Sequence, residues 1–484
     1  MTSDKKPDKP HLRVISAIDD AEALAANPAP FGDHQRGDWS QMSAADQPSF
    51  KAQSVEPGRK KRTRFGKDGI SHADLDLQLS RYQCTDLGNA NRFVTRHGDR
   101  FLYVHQWGWM VWDGRRWTTT DASQKVERAV HDTIDAIRRE ALALEASPLD
   151  VLLQSKRDGT EVWASDRVMG WYVASQSASH VSCISNLAKP YLLASADQFD
   201  ADPCAFNVLN GTLKIQKREN ESYVRHEPHN PKDLITKLAQ AIYDPKASAI
   251  DYDAFLERVQ PDPHMRRHLH AWGGVSLTAL LVARLSFWYG TGRNGKSTLI
   301  DAWADVLGDY AQTIPIESFL DQGRARRGGE ASPDIASLVG VRALRTSEPE
   351  RGSKLAEGLI KLVTGGEPMR ARQLNKDFFE FRPCFKLTMQ GNYKPRVDGT
   401  DEGLWARLLI VPWQVMIPEE ERDPGLPSKL RAEASGILNR LLDGLCDYLD
   451  NGLLPPERVK QATQEYRQQS DPDRPIPDRV LRSQ

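Results

Sequence analysis

Apolar positions along this chain change their period several times, and each change marks a different element. Residues 285–289 form a short, almost unbroken apolar run, Leu-Ser-Phe-Trp-Tyr, which is the pattern of a buried strand. It stops at Gly290. Leu299, Ile300, Trp303, Val306 and Leu307 then recur at helical spacing. Upstream, residues 103–117 alternate aromatic and polar positions around Asp113-Gly114, which predicts a hairpin. Helical periods follow over 126–144 and 162–179. A second hairpin is expected over 206–215 with Asn210-Gly211 as its turn. Phe255 to Val259 is amphipathic, and 268–283 reads as a helix leading into the strand at 285. Downstream, 341–346 and 385–389 read as short strands, and 369–382 alternates on both sides of Asn375-Lys376-Asp377, giving a hairpin with a basic exposed tip.

Between the apolar run and its helix stands Gly290-Thr291-Gly292-Arg293-Asn294-Gly295-Lys296-Ser297, followed by Thr298. This satisfies G-x-x-x-x-G-K-[ST] in the strand–loop–helix context that makes the motif a phosphate site. Glycines at 290, 292 and 295 let the backbone N–H groups turn inward toward phosphate. The new helix adds its positive N-terminal end. Lys296 is expected to reach the β- and γ-phosphates of ATP, and the Ser297 hydroxyl to ligate Mg2+.

Three further parts complete an ATP hydrolase, and the chain offers a candidate for each. Glu348 and Glu350 end the strand at 341–346; one carboxylate can hold Mg2+ or its water, and a second can polarise the attacking water. Arg342 and Arg345 interrupt that strand, which a sheet buried on both faces would make nearly all apolar. Asn392, just past the strand at 385–389, can position the lytic water. Arg407, at the head of Leu408-Leu-Ile-Val-Pro412, can enter a neighbouring subunit's site and neutralise charge developing in the transition state. The hairpin at 369–382 presents Arg370, Arg372 and Lys376 as candidate contacts to a DNA backbone.

Composition narrows the class. Lys+Arg number 65 against 66 Asp+Glu over 484 residues, so no global field draws the chain to nucleic acid and any such binding uses local patches. Five scattered cysteines without a C-x-x-C pair argue against a disulfide framework or zinc site and fit a reducing cytoplasm. No stretch is long and apolar enough to span a bilayer, so no membrane partner is expected. Residues 1–75 lack a persistent apolar period and read as a disordered tail. Its basic cluster at 59–64 is either a sequence-independent DNA grip or a solvated charge run. The tryptophans at 107–117 either stack on single-stranded bases or fill a small core.

With these parts in order, the chain from Asp86 to about Gln468 resembles the phage and plasmid primase–helicase family, whose motor is a superfamily 3 helicase related to the poxvirus-type NTPase. The resemblance rests on Tyr289 through Thr298, Leu307-Gly-Asp-Tyr310, Ser347-Glu-Pro-Glu350, Thr364-Gly-Gly-Glu367, Ala371-Arg372, Gly391-Asn392 and Trp405-Ala-Arg407. Upstream it rests on Arg92-Phe-Val, Trp109 through Trp117, Asn207 through Leu213 and Gly274 through Thr278.

The resemblance implies an α/β, AAA+-like P-loop ATPase domain with a central parallel sheet and an inserted β-hairpin. A mixed α+β N-terminal domain and the tail precede it. The expected bounds are 1–75 for the tail, 76–205 for the aromatic-rich domain and 206–270 for a hairpin and helical lead-in. The motor follows over 271–425, and C-terminal helices and a tail over 426–484. It implies a ring, usually a hexamer, translocating on single-stranded DNA and unwinding forked duplex. Glu348 and Glu350 match its metal and water acids, Asn392 its sensor, Arg407 its in-trans arginine and Lys376 its DNA contact. The expected role is a replicative helicase in a bacterial host's cytoplasm, for a phage, prophage or plasmid, working with a separate primase or initiator. No paired-carboxylate strand for nucleotide polymerisation is visible, so no primer synthesis is expected. Two other classes fit part of the pattern: a nucleotide-switched DNA-binding or loading ATPase that does not unwind, and a small-molecule P-loop phosphotransferase, which leaves the basic hairpin without a purpose.

Overall fold

A computed structural model describes residues 71–218, 221–321, 323, 333–372, 378–397 and 401–470. The basic cluster at 59–64 and the hairpin tip with Lys376 lie outside the described residues. Two compact units divide the chain, and they do not follow its linear order: one joins 100–123 to the chain from 193 onward, the other joins 71–99 to 124–192.

The larger unit is built on a five-stranded parallel sheet. Its order across the sheet is Ala311–Ile314, Ala343–Thr346, Lys386–Gly391, Leu285–Tyr289, Leu408–Pro412. All four neighbouring pairs are parallel, with Leu285 beside both Leu387 and Leu408. Strand residues alternate between two cores, as a sheet covered on both faces requires. Leu285, Phe287, Leu408 and Ile410 join one cluster with Leu344 and Met389; Trp288, Leu409 and Val411 join the other with Trp272, Leu299 and Trp303.

The arginines that interrupt the acidic strand are accommodated rather than excluded. Arg342 lies over the Tyr310 ring at 4.5 Å and donates to Leu277 O at 2.5 Å. Arg345 reaches Thr313 and Asp301 at the sheet's flank. A buried cation beside this sheet is thus met by a backbone carbonyl and an aromatic face.

The helix expected over 268–283 is instead Pro263–Val275, N-capped by Asp262. It stops before the strand because Leu277 and Thr278 turn their carbonyls to Arg342 and Lys386. This helix crosses Ala434–Asn451 at backbone contact: a β-carbon on Gly444 would lie 2.1 Å from His270 O, and one on Gly274 2.3 Å from Leu445 N. Only glycine permits that approach.

The second hairpin forms with a shifted turn and a third strand. Ala205–Val208 pairs with Gly211–Arg218, which pairs with Glu221–Glu227. Val208 faces Gly211, so the two turn residues are Leu209 and Asn210, not Asn210 and Gly211. Gly211 begins the strand because a β-carbon there would strike Glu227 O and His226 Nε2, both at 2.4 Å. The aromatic stretch is a three-stranded meander of Phe101–Val104, Gly108–Trp112 and Trp117–Thr118. Asp113 Oδ1 accepts from the amides of Arg115 and Arg116, each at 2.8 Å, and shapes its second turn. Trp109 and Trp117 are buried, and Trp117 Nε1 donates to Pro231 O at 2.8 Å. These two side chains are core, not a stacking platform.

The smaller unit is mainly helical. Arg92 and Glu140, both fully buried, pair at 2.7 Å, and Arg92 also donates to the carbonyls of Leu79, Tyr82 and Gln83. These two buried charges are therefore partnered, as burial demands. The helical period over 162–179 proves to be two helices, Ala164–Ser175 and Ala178–Ala188, because Ser177 N-caps the second.

Candidate active site

The phosphate loop leaves the C-terminal end of Leu285–Tyr289 and enters the helix Lys296–Leu307. Three of its residues adopt left-handed backbone: Gly292 (φ 96°), Arg293 (φ 55°) and Gly295 (φ 83°). Gly290 is not one of them. It is glycine because a β-carbon would meet Asn294 Nδ2 at 2.2 Å and Trp413 O at 2.3 Å. Arg293 holds its unusual conformation with its carbonyl accepting from Ile417 N at 2.9 Å. Asn294, buried, donates to Trp413 O at 3.1 Å. The loop is thereby fastened to the chain that follows the edge strand Leu408–Pro412.

Lys296 is 3% exposed, and its ammonium donates to Gly290 O and Asn294 Oδ1, both at 3.0 Å. Burial pulls its pKa below the ordinary lysine value, with the nearby Glu348 carboxylate pulling the other way. Both hydrogen-bond acceptors are neutral. A desolvated cation held by two neutral acceptors beside a glycine loop is an arrangement that suits an anionic ligand.

The acid strand and the sensor strand are neighbours, and they deliver their ends to this loop. Asn392 Nδ2 donates to Glu348 Oε2 at 3.1 Å. Asn392 Oδ1 lies 3.8 Å from the position of a Gly292 β-carbon and has no hydrogen-bond partner among the described residues. Gly391 lets Pro349 approach: a β-carbon there would stand 2.8 Å from Pro349 Cδ. Ser347 Oγ accepts from Ile316 N at 3.0 Å and fixes the start of the acidic turn.

Glu350 is placed differently. It lies beyond Pro349, exposed as Glu348 also is, and its carbonyl closes a turn with Ser353 N at 3.2 Å. One site residue was missed in the sequence: Gln390 Oε1 accepts from Ser297 Oγ at 3.3 Å. Its position in the last two residues of the strand that delivers Asn392 was the available signal.

Arg407 sits at the opposite end of the sheet. Leu408 pairs with Leu285, and Pro412 with Tyr289, so Arg407 precedes the edge strand while the phosphate loop follows its neighbour. The intervening five residues span about 16 Å at roughly 3.3 Å each. Its guanidinium donates to Gly403 O at 2.6 Å, while Nε is buried without a partner among the described residues. It lines an open cavity of about 420 Å3 with Arg284, Leu281, Tyr448 and Leu453.

Met369–Arg372 pairs with Phe378–Phe381 as a separate antiparallel two-stranded sheet. Met369 and Ala371 are buried, which turns Arg370 and Arg372 to the other face. The Arg370 side chain is 71% exposed, 3.9 Å from Glu380, and both guanidiniums lie over the Phe378 ring.

The donor set at the phosphate loop suits a hard divalent cation. Ser297 and Glu348 supply oxygen only, and so sparse a set fits a magnesium ion that keeps most of its waters. Among the described residues no cluster of three His, Cys, Asp or Glu could hold a metal by itself.

Comparison with known proteins bears on the same parts. The family model described as D5 N terminal like matches residues 90–261. A protein of Acanthamoeba polyphaga mimivirus, provisionally named a helicase, is 30% identical over 238 residues, 45% of this chain and 24% of that protein. One from Frog virus 3 (isolate Goorha), with the same provisional name, is 29% identical over 214 residues, covering 40% and 22%. A protein of African swine fever virus (strain Badajoz 1971 Vero-adapted), provisionally named a primase, is 25% identical over 251 residues, covering 51% and 26%. The chain thus spans about a quarter of the length of these relatives. A D5 N-terminal-like segment leading into a parallel-sheet phosphate-loop domain, together with relatives bearing these names, supports a primase–helicase-like superfamily 3 helicase family for this chain.

Proposed function

We propose that this chain is an ATP-driven DNA helicase that works in replication for a virus or a phage- or plasmid-like replicon, as a ring of identical subunits translocating on single-stranded DNA. The observation that supports the reading most is the division of the chemistry between two ends of one sheet. Lys296, Ser297, Glu348 and Asn392 gather at the C-terminal ends of its strands, and Arg407 stands at the N-terminal end of the edge strand. About 16 Å of strand is more than an arginine side chain reaches. That separation supports a reading in which Arg407 serves a second copy's site rather than its own.

In this reading the loop amides and Lys296 bind the ATP phosphates. Ser297 and Glu348 hold Mg2+, which supplies charge neutralisation across the β- and γ-phosphates. Glu348, held by Asn392, accepts the proton of the attacking water; Asn392 Oδ1 orients that water. Arg407 of one subunit stabilises charge in the next subunit's site. Arg370 and Arg372, with Lys376, grip the DNA backbone. A ring of six, a separate primase or initiator as partner, and a reducing host cytoplasm complete the reading. Five free cysteines support that compartment, and among the described residues no helix is long and apolar enough to cross a membrane.

The test is complementation between two dead subunits. Lys296→Ala and Arg407→Ala should each lose hydrolysis by about a thousandfold. Mixing them should restore turnover, because hybrid interfaces pair an intact phosphate loop with an intact arginine. No rescue with mixing confirmed would remove the shared site. Wild-type protein that hydrolyses ATP but fails to displace a strand from a forked duplex would leave a nucleotide-switched DNA-binding ATPase in its place.

A further inference from the structure

The C-terminal helix Glu457–Gln469 lies along the edge strand, where Thr463 Oγ1 accepts from Ile410 N at 3.0 Å. A side-chain hydroxyl thus satisfies an amide that an edge strand otherwise leaves open. Just under one helical turn later comes Tyr466, 5% exposed. Its hydroxyl donates to Pro395 O. Its ring faces the Lys394 ammonium at 5.2 Å, and that ammonium also lies over the Tyr289 ring at 4.8 Å. Edge-on, it meets Trp405 with centroids 5.3 Å apart at 79°. Arg467, the next residue, pairs with Glu402.

These contacts fall on three segments of consequence. Tyr289 is the last residue before the phosphate loop, Lys394 and Pro395 follow Asn392, and Trp405 precedes Arg407 by two residues. One side chain therefore touches both the sensor loop and the turn before Arg407.

We propose that Tyr466 is a positioning residue: it ties the loop carrying Asn392 to the turn carrying Arg407, so that each subunit's water-orienting amide and the arginine it lends are set together. This rests on the roles assigned above to Asn392 and Arg407. Tyr466 touches no reacting atom. Its hydroxyl anchors the loop backbone, and its ring anchors the turn. A purely structural helix would contribute to stability alone.

The test uses the full chain. Tyr466→Phe keeps the ring and loses the anchor on Pro395; kcat for ATP should fall about tenfold with KM within about twofold, the pattern of an interaction made only in the transition state. Tyr466→Ala should lose about a hundredfold. Mixed with Lys296→Ala it should restore no turnover, since its own sensor loop is displaced. Mixed with Arg407→Ala it should also restore none, since the arginine it lends is displaced. Rescue by either mixture, or a Tyr466→Phe protein with a lower melting temperature and unchanged kcat, would overturn the proposal. The Lys296→Ala and Arg407→Ala mixture runs alongside. If that pair alone fails to recover, the shared-site reading falls, and the Tyr466→Phe kinetics still decide whether the residue sets the sensor.

Discussion

Asn392 donates its side-chain amide to Glu348 Oε2 at 3.1 Å, and its other amide atom faces the phosphate loop at Gly292. The two residues lie 44 positions apart and end adjacent parallel strands. Glu350, beyond Pro349, is not the carboxylate that Asn392 holds. Glu348→Gln should therefore lower ATP hydrolysis by about a hundredfold or more, in the range for loss of a general base, while nucleotide binding persists. Glu350→Gln should change it by only a few fold. Steady-state ATPase rates of the two variants, alongside fluorescent-nucleotide titrations, give the comparison; equal losses would assign the two carboxylates a joint role.

The hairpin supplies a prediction about DNA. Arg370 projects from a face opposite the buried Met369 and Ala371, and its distance to Glu380 is long for an ion pair. Arg370→Ala should weaken single-stranded DNA binding and reduce the slope of log K against log salt by about 0.7 for each phosphate no longer neutralised. Basal ATPase should be unchanged. An unaltered salt slope would move the DNA-binding surface away from this strand.

Helix crossing sets a stability expectation. Gly444 approaches His270 O so closely that a β-carbon would stand 2.1 Å away, and the obstructing atom is backbone. Gly444→Ala should cost about 1–3 kcal/mol, the usual range for overpacking. Urea unfolding followed by tryptophan fluorescence measures it; an unchanged midpoint would mean that the helices part without cost.

Lys386 carries a pH signature. It is fully buried in the sensor strand, donating to the carbonyls of Thr278, Leu280 and Cys384. Burial, aided by the Arg342 charge, pushes its pKa down to about 7. Its unfolded value is near 10.5. Between these values the unfolded chain binds the extra proton, so stability rises with pH. Below about pH 7 that contribution is absent, because both states are charged and the folded one buries the charge. The difference in urea midpoint between wild type and Lys386→Met should therefore shift in favour of wild type from about pH 7 to about pH 9.5. A difference that stays constant would show that the ammonium remains charged in the fold throughout.

Local chemistry made one part of this protein legible from its residues alone. The phosphate loop, its strand and its helix follow from glycine spacing and apolar period, because the motif's geometry is contained within a short run of consecutive residues. The order of acid, amide and arginine downstream was equally visible, as was the family they resemble. Other features depended on contacts between distant segments. Helix 263–275 ends where the carbonyls of Leu277 and Thr278 meet cations from other strands, which no local period records. Gly211, Gly290 and Gly444 are glycine because a remote backbone or side chain occupies the β-carbon's place. Arg342 is accommodated just before the acidic strand because Tyr310 and a carbonyl receive it there. Tertiary structure also distinguished Glu348 from Glu350 as the carboxylate against Asn392. It set Arg407 at the far end of the sheet from the loop it is proposed to serve. Parallel pairing causes both results: it brings the ends of strands remote in sequence to one edge, and separates by a strand's length two residues whose strands lie side by side.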